Sequence, residues 1–249
     1  MLKYIISLSW ILFSFFSYSQ QPQVHSIAIF IQSRPAIDKD KQAIDEMRKN
    51  IARFTDSKLG KEYIIGNPAD ANTEKTITDF CNIITKDDIA MFYFSGTGKY
   101  KGDELNMDIG GKEKPVKSVL DSITKKIPKT AIVIIECALR EIEKDHDGQI
   151  KSHANIITKD NTKKLFFVKD KSQLVYIKAA SPPKQPIHRS AVLGSFLLQS
   201  FKNNMLDEMG IEEDVKPSWV VVLDKTKQDI SNITRNGQTP VVKYETYPK

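Results

Sequence analysis

Residues 89–98 read Ile-Ala-Met-Phe-Tyr-Phe-Ser-Gly-Thr-Gly, and residues 131–140 read Ala-Ile-Val-Ile-Ile-Glu-Cys-Ala-Leu-Arg. Each opens as an unbroken apolar run and ends abruptly in small or polar residues. Such a run, with no polar residue alternating through it, suits a strand buried on both faces of a parallel sheet. Between the two lie residues 115–126, in which Val116, Val119, Leu120 and Ile123 fall on one helical face. Strand, helix, strand is the crossover unit of a parallel sheet.

The same alternation extends in both directions. Residues 26–31 (SIAIFI) form another apolar, β-branched run, and residues 62–65 a shorter one. Residues 38–54 carry Ala43, Ile44, Met47, Ile51 and Phe54 at helical spacing, and residues 70–84 repeat the pattern through Ile77, Phe80, Cys81 and Ile84. Residues 99–111 are polar and contain glycine, as a hairpin or loop would. Residues 140–164 are charged, show no apolar period and read as one long loop. Beyond it, residues 165–168 and 174–179 are strand-like, Pro182, Pro183 and Pro186 break the chain, and residues 191–205 predict a helix bearing Val192, Leu193, Phe196, Leu197 and Phe201. Residues 218–233 read two ways. Val220 to Leu223 favour a strand by propensity, whereas Ser218 would cap a helix bearing Val222, Thr226, Ile230 and Ile233. The order predicts one α/β domain over residues 21–249: a three-layer α/β/α sandwich around a mostly parallel sheet. In such sheets function gathers at the carboxyl ends of the strands, which singles out Ser95 to Gly98 and Glu136-Cys137.

Residues 1–20 form a different kind of segment. Lys3 precedes an apolar core at residues 4–16 and a small, polar exit at residues 17–21. That is the layout of a secretory signal, and the core is shorter than the roughly 20 residues that span a bilayer; an uncleaved anchor is the competing reading. The expectation is an exported protein, secreted or periplasmic, with no membrane span once the signal is removed, and a Phe/Ser-rich signal ending in Gln20-Gln21 suggests a bacterial route. The net charge is +6, with the lysines dispersed and no basic-aromatic module, which argues against nucleic acid as a partner. Two cysteines, Cys81 and Cys137, cannot define a disulfide framework. A bridge between them is disfavoured, because a six-residue strand of about 20 Å separates their expected positions and bridged Cα atoms lie within about 7 Å. The histidines are His25, His146, His153 and His188, none ligand-spaced with a cysteine. No metal and no cofactor is expected. The single Gly-x-Gly at Gly96 and Gly98 lacks the Lys-Ser/Thr of a phosphate loop.

Taken together, the two strand ends resemble the caspase and metacaspase family of cysteine peptidases. There a strand ends in a Ser-Gly-His-Gly type of turn whose histidine is the base, and about forty residues later a second strand ends in Asp-x-Cys or Asp-Ala-Cys, followed by His-Ser-Gly. Here the segments are Phe92-Tyr93-Phe94-Ser95-Gly96-Thr97-Gly98 and Ile134-Ile135-Glu136-Cys137-Ala138-Leu139-Arg140, and Thr97 and Cys137 stand forty residues apart. Residues 175–181 (VYIKAAS), Gly194-Ser195-Phe196 and Gln238-Thr239-Pro240 are similar to later family elements, so the resemblance spans about residues 24–242. It implies the caspase-like fold, with Cys137 as nucleophile and the backbone N–H groups of Gly98 and Cys137 as oxyanion hole.

This sequence departs from the family where the chemistry is. Thr97 stands in the place of the histidine, and its hydroxyl does not titrate in a useful range. A thiol of ordinary pKa near 8.5 is mostly protonated at neutral pH, and the histidine's second task, protonating the leaving amine, also falls vacant. Ala138, Leu139 and Arg140 replace the residues that usually follow the cysteine. Two functions are therefore weighed: a degenerate member, a pseudopeptidase that binds a peptide or protein without cutting it, or an active cysteine endopeptidase using Cys137 with a non-standard base. His188, His146 and His153 are candidates for such a base, against the plainer reading of surface polar residues. Arg140, close to Cys137 in sequence, leaves oxidant chemistry open at the thiol. An unrelated doubly wound binding domain is the third reading. Substrate preference is unassigned: Arg34 follows the first strand, where caspases keep a substrate-reading arginine, but arginines and lysines are too common here to count.

Overall fold

The long apolar runs become the central strands of one sheet. Strands β1 (Gln23–Phe30), β2 (Lys58–Ile65), β3 (Ile89–Lys101), β6 (Thr130–Ala138), β7 (Lys171–Lys178) and β10 (Val241–Pro248) lie in the order β10-β7-β6-β3-β1-β2. Every neighbouring pair is parallel except β10 with β7. The computed structural model describes residues 21–30, 36–67, 69–138, 150, 156–179, 187–190, 192–212 and 214–249. The signal read at residues 1–20, Arg34, Arg140, His146, His153 and most of the long loop therefore lie outside the described residues.

Alternation along each strand divides the apolar side chains between two cores. On one face Val24, Ala28, Phe30, Met91, Tyr93, Ile132, Ile134, Val175 and Ile177 meet α1 (Ile37–Thr55), α4 (Lys159–Phe166), α5 (Phe196–Met209) and α6 (Trp219–Ile233). On the other, Ile27, Ile29, Phe92, Phe94, Val133 and Ile135 meet α2 (Thr73–Ile83) and α3 (Val116–Thr124). The expected three-layer α/β/α sandwich is what the chain forms. Among the described residues no helix is long and apolar enough to cross a membrane.

Residues 99–111, read as a hairpin or loop, are a hairpin: β3 continues to Lys101 and pairs antiparallel with β4 (Glu104–Ile109), which pairs with β5 (Lys112–Pro115). Other elements differ from the sequence-based expectation. Residues 165–168 are no strand. Leu165 and Phe166 end α4, where the Thr158 side chain caps the start by accepting from the Asn161 N–H at 3.3 Å. The helix expected at residue 191 begins at Phe196. Gly194 takes a left-handed φ of 78° in a small hairpin between β8 (Arg189–Ser190) and β9 (Gly194–Ser195), and Ser195 Oγ then caps α5 through the Leu198 N–H at 2.9 Å. Residues 219–233 are helix: Trp219, Val222, Leu223, Thr226 and Ile230 are buried at helical spacing, while Val220 and Val221 face outward.

Candidate active site

The candidate residues lie side by side at the carboxyl ends of β3 and β6. Gly96 pairs with Cys137 and Thr97 with Ala138. Because β3 runs on through Gly98 instead of turning after Phe94, alternation still holds. Gly96 and Gly98 face the side of Cys137. Thr97 faces the side of Tyr93, Ser95 and Glu136. A methyl group on Gly98 would stand 2.0 Å from Cys137 Sγ and 2.4 Å from the Asn106 carbonyl oxygen, so the thiol rests directly on glycine backbone. The Thr97 hydroxyl donates to Asp108 Oδ2 of β4 at 3.5 Å. Cys137 is half-buried, Cys81 is buried, and no disulfide joins them.

On the Cys137 face the walls come from the flanking strands. Lys178 of β7 donates from Nζ to the Tyr100 hydroxyl of β3 at 2.7 Å and sits 4.9 Å from that ring's centroid. Since β6 lies between β3 and β7, this contact crosses the strand that carries Cys137. Tyr176 completes the wall. Burial, and then the neighbouring Tyr100 and Cys137, raise its phenol well above the usual range.

The opposite face holds a charged cluster without solvent access. Arg189 is 1% exposed, and Asp40 of α1 and Glu136 are fully buried. Arg189 Nη1 donates to Glu136 Oε2 at 3.0 Å, and Nη2 donates to Asp40 Oδ2. The Tyr93 hydroxyl donates to Glu136 Oε2 at 3.0 Å, the Ser195 hydroxyl donates to Glu136 Oε1, and the Ser195 N–H donates to Asp40 Oδ1 at 2.8 Å. Burial alone would lower the Arg189 guanidinium; the two carboxylates and Tyr93 outweigh it and keep it charged. Sequence reading missed this cluster. The available signal was Tyr93 and Glu136 at like-facing positions of two otherwise apolar strands.

The two described histidines are placed elsewhere. His25 is buried at the amino end of β1, accepting from the Lys61 N–H at 3.0 Å, with Asp88 3.7 Å away. His188 is 3% exposed, a core histidine rather than a surface one. Its backbone N–H donates to Gln238 Oε1 at 2.9 Å, and a methyl on Gly237 would lie 3.0 Å from its Nε2. Among the described residues, no group of three or more His, Cys, Asp or Glu side chains is placed to hold a metal.

The fold is shared with known proteins. A family model described as the caspase domain matches residues 27–249. The crystal structure of the Drosophila initiator caspase Dronc aligns with a TM-score of 0.55 at 13% identity, covering 92% of this chain and 82% of that one. Caspase-1 from Spodoptera frugiperda aligns with a TM-score of 0.53 at 12% identity, over 90% and 87% of the two chains. A comparison with curated proteins finds no match. At such identities the structures speak for the fold, and the family model speaks for membership. A mostly parallel sheet whose adjacent strands β3 and β6 set Gly98 beside Cys137, matched by that model over residues 27–249, places this protein in the caspase domain family.

Proposed function

We propose that the protein is an exported caspase-like pseudopeptidase, whose strand-end cleft binds a peptide or a partner protein without hydrolysing it. The observation that carries this reading is Thr97. In this family's pattern that position holds the histidine base. Here it holds a hydroxyl that donates to Asp108 and takes no proton from a thiol near neutral pH. His25 is held at the amino end of β1, and His188 packs against Gln238 and Gly237. The Gly98 backbone lies under the thiol, and Tyr100, Tyr176 and Lys178 stand on the same face. The export reading rests on residues 1–20 and is tested by sequencing the amino terminus of the secreted protein; an intact Met1 contradicts it.

A second reading is favoured by one observation. The Lys178–Tyr100 pair on the Cys137 face offers titratable groups that could stabilise a thiolate or pass a proton, which would make the protein an active cysteine endopeptidase with a non-standard base. One experiment separates the two. Incubation with a proteome-derived peptide library, read by mass spectrometry, is expected to yield no new termini. New termini that vanish in Cys137→Ala overturn the pseudopeptidase reading.

A further inference from the structure

Away from the strand ends, α2 and α3 lie next to each other on the second core and leave a groove of about 550 Å³ between them. Its walls are built alike. Thr78 and Asn82 stand one helical turn apart on α2, and Ser118 and Ser122 one turn apart on α3. Ile77, Cys81 and Val119 form an apolar floor. The ends are basic. Lys114 precedes α3, and Lys125 and Lys126 follow its last residue. A nine-residue helix is about 13 Å long, so the lysines close the groove at both ends.

No carboxylate lines this groove. The acids of the same two helices are engaged elsewhere: Asp79 with Lys75 at 2.7 Å, Asp121 with Lys117 at 2.5 Å and Glu74 with Lys112 at 3.9 Å. Lys114, Lys125 and Lys126 make no ion pair among the described residues, in a protein where lysine–carboxylate pairs are common. Burial raises the floor thiol of Cys81, and the charges of Lys114 and Lys126, which line the same groove, act against that rise. The helix dipole explains half of the arrangement. Cations favour a helix carboxyl end, where Lys125 and Lys126 stand, but Lys114 stands at the amino end, where a cation is unfavourable. The Thr78, Ser118 and Ser122 hydroxyls donate to nearby backbone carbonyls, which leaves Asn82 and the lysines as the donors of the groove. With an apolar floor and positive charge at both ends, and a size in the usual range for small-molecule sites, it fits an elongated dianion.

We propose that the α2–α3 groove binds a linear small molecule carrying an anionic group, phosphate or carboxylate, at each end. One end would meet Lys114 and the other Lys125 and Lys126, with the chain of the molecule over Ile77, Cys81 and Val119. This site is separate from Cys137 and does not depend on whether that residue cuts peptides.

The test is calorimetric titration of the full protein with inorganic phosphate, with α,ω-alkane bisphosphonates of increasing chain length, and with the matching dicarboxylates. Affinity is expected to peak at one intermediate length. Lys114→Met and Lys126→Met should each weaken the best compound by about tenfold, the loss of one charge-assisted contact. Bisphosphonates and dicarboxylates distinguish the two anionic end groups. Both lysines are partly exposed, and circular dichroism checks that the variants are folded. In a Cys137→Ser background, the best compound should also slow alkylation of Cys81. Affinity independent of chain length, or unchanged in both lysine variants, overturns the proposal and leaves general attraction of anions to a basic surface.

Discussion

At the residue scale, close packing and buried charge make the site's neighbourhood intolerant of change. Gly98 has no room for a methyl group, since 2.0 Å to Cys137 Sγ and 2.4 Å to the Asn106 oxygen are far inside contact distance. Gly98→Ala should cost about 1–3 kcal/mol, the usual cost of overpacking, read as a lower denaturation midpoint. Arg189 sets its guanidinium against two buried carboxylates, Asp40 and Glu136. Removing it takes a cation from both, and Arg189→Met should cost about 3–5 kcal/mol in chemical denaturation; a cost under about 1 kcal/mol would show that the cluster is not the ion-paired unit described. The two sites differ in how well they could be read beforehand. That Thr97, Gly98 and Cys137 lie at adjacent strand ends was legible because each closes an apolar run and a helical pattern lies between the runs. Arg189 and Asp40 were not, because 149 residues separate them and each sits in a polar stretch. His188 was misjudged for the same reason: a histidine after three prolines looks exposed until Gln238 and Gly237 close over it.

At the element scale, strands buried on both faces were read correctly and the surface layer less so. The apolar run at residues 165–168 looked like a strand, but its first two residues are the buried end of α4, where Phe166 meets Trp219 edge to face at 5.1 Å. Strand β10 went unread because its residues alternate between partial burial and exposure, as an antiparallel edge strand does. The start of α5 was set too early because Val192 and Leu193 continue the helical apolar pattern, yet Val192 is 71% exposed and Gly194 turns the chain before Ser195 caps the helix. Contacts between elements also leave a titration signature. Asp56, just past α1, takes Lys159 Nζ at 2.5 Å and Lys163 Nζ at 2.7 Å from α4. These two partners lower its carboxyl to about 2. A depressed folded-state pKa stabilises the fold above the unfolded value of about 3.9 and stops doing so as pH falls toward the folded value. NMR titration of the Asp56 carboxyl should give a midpoint near 2, and a midpoint near 4 would mean that α4 is not held to α1 in this way.

At the scale of the whole molecule, a sheet with a core on each face holds β3 and β6 in register to their ends, and that register sets Gly98 against Cys137 whatever the chemistry. The fold therefore does not depend on which side chain stands at position 97. Alternation adds a consequence: with β3 regular through Gly98, the side chain at position 97 issues from the face away from Cys137, so Thr97→His alone should not restore peptide cleavage. The most direct test is labelling by a thiol-directed peptide probe that needs an activated nucleophile, applied to wild type, Cys137→Ala and Thr97→His at neutral pH. The expected result is no more labelling of wild type or of Thr97→His than of Cys137→Ala. Labelling of wild type that disappears in Cys137→Ala would contradict the pseudopeptidase reading, and would show that Cys137 is activated without a histidine at position 97.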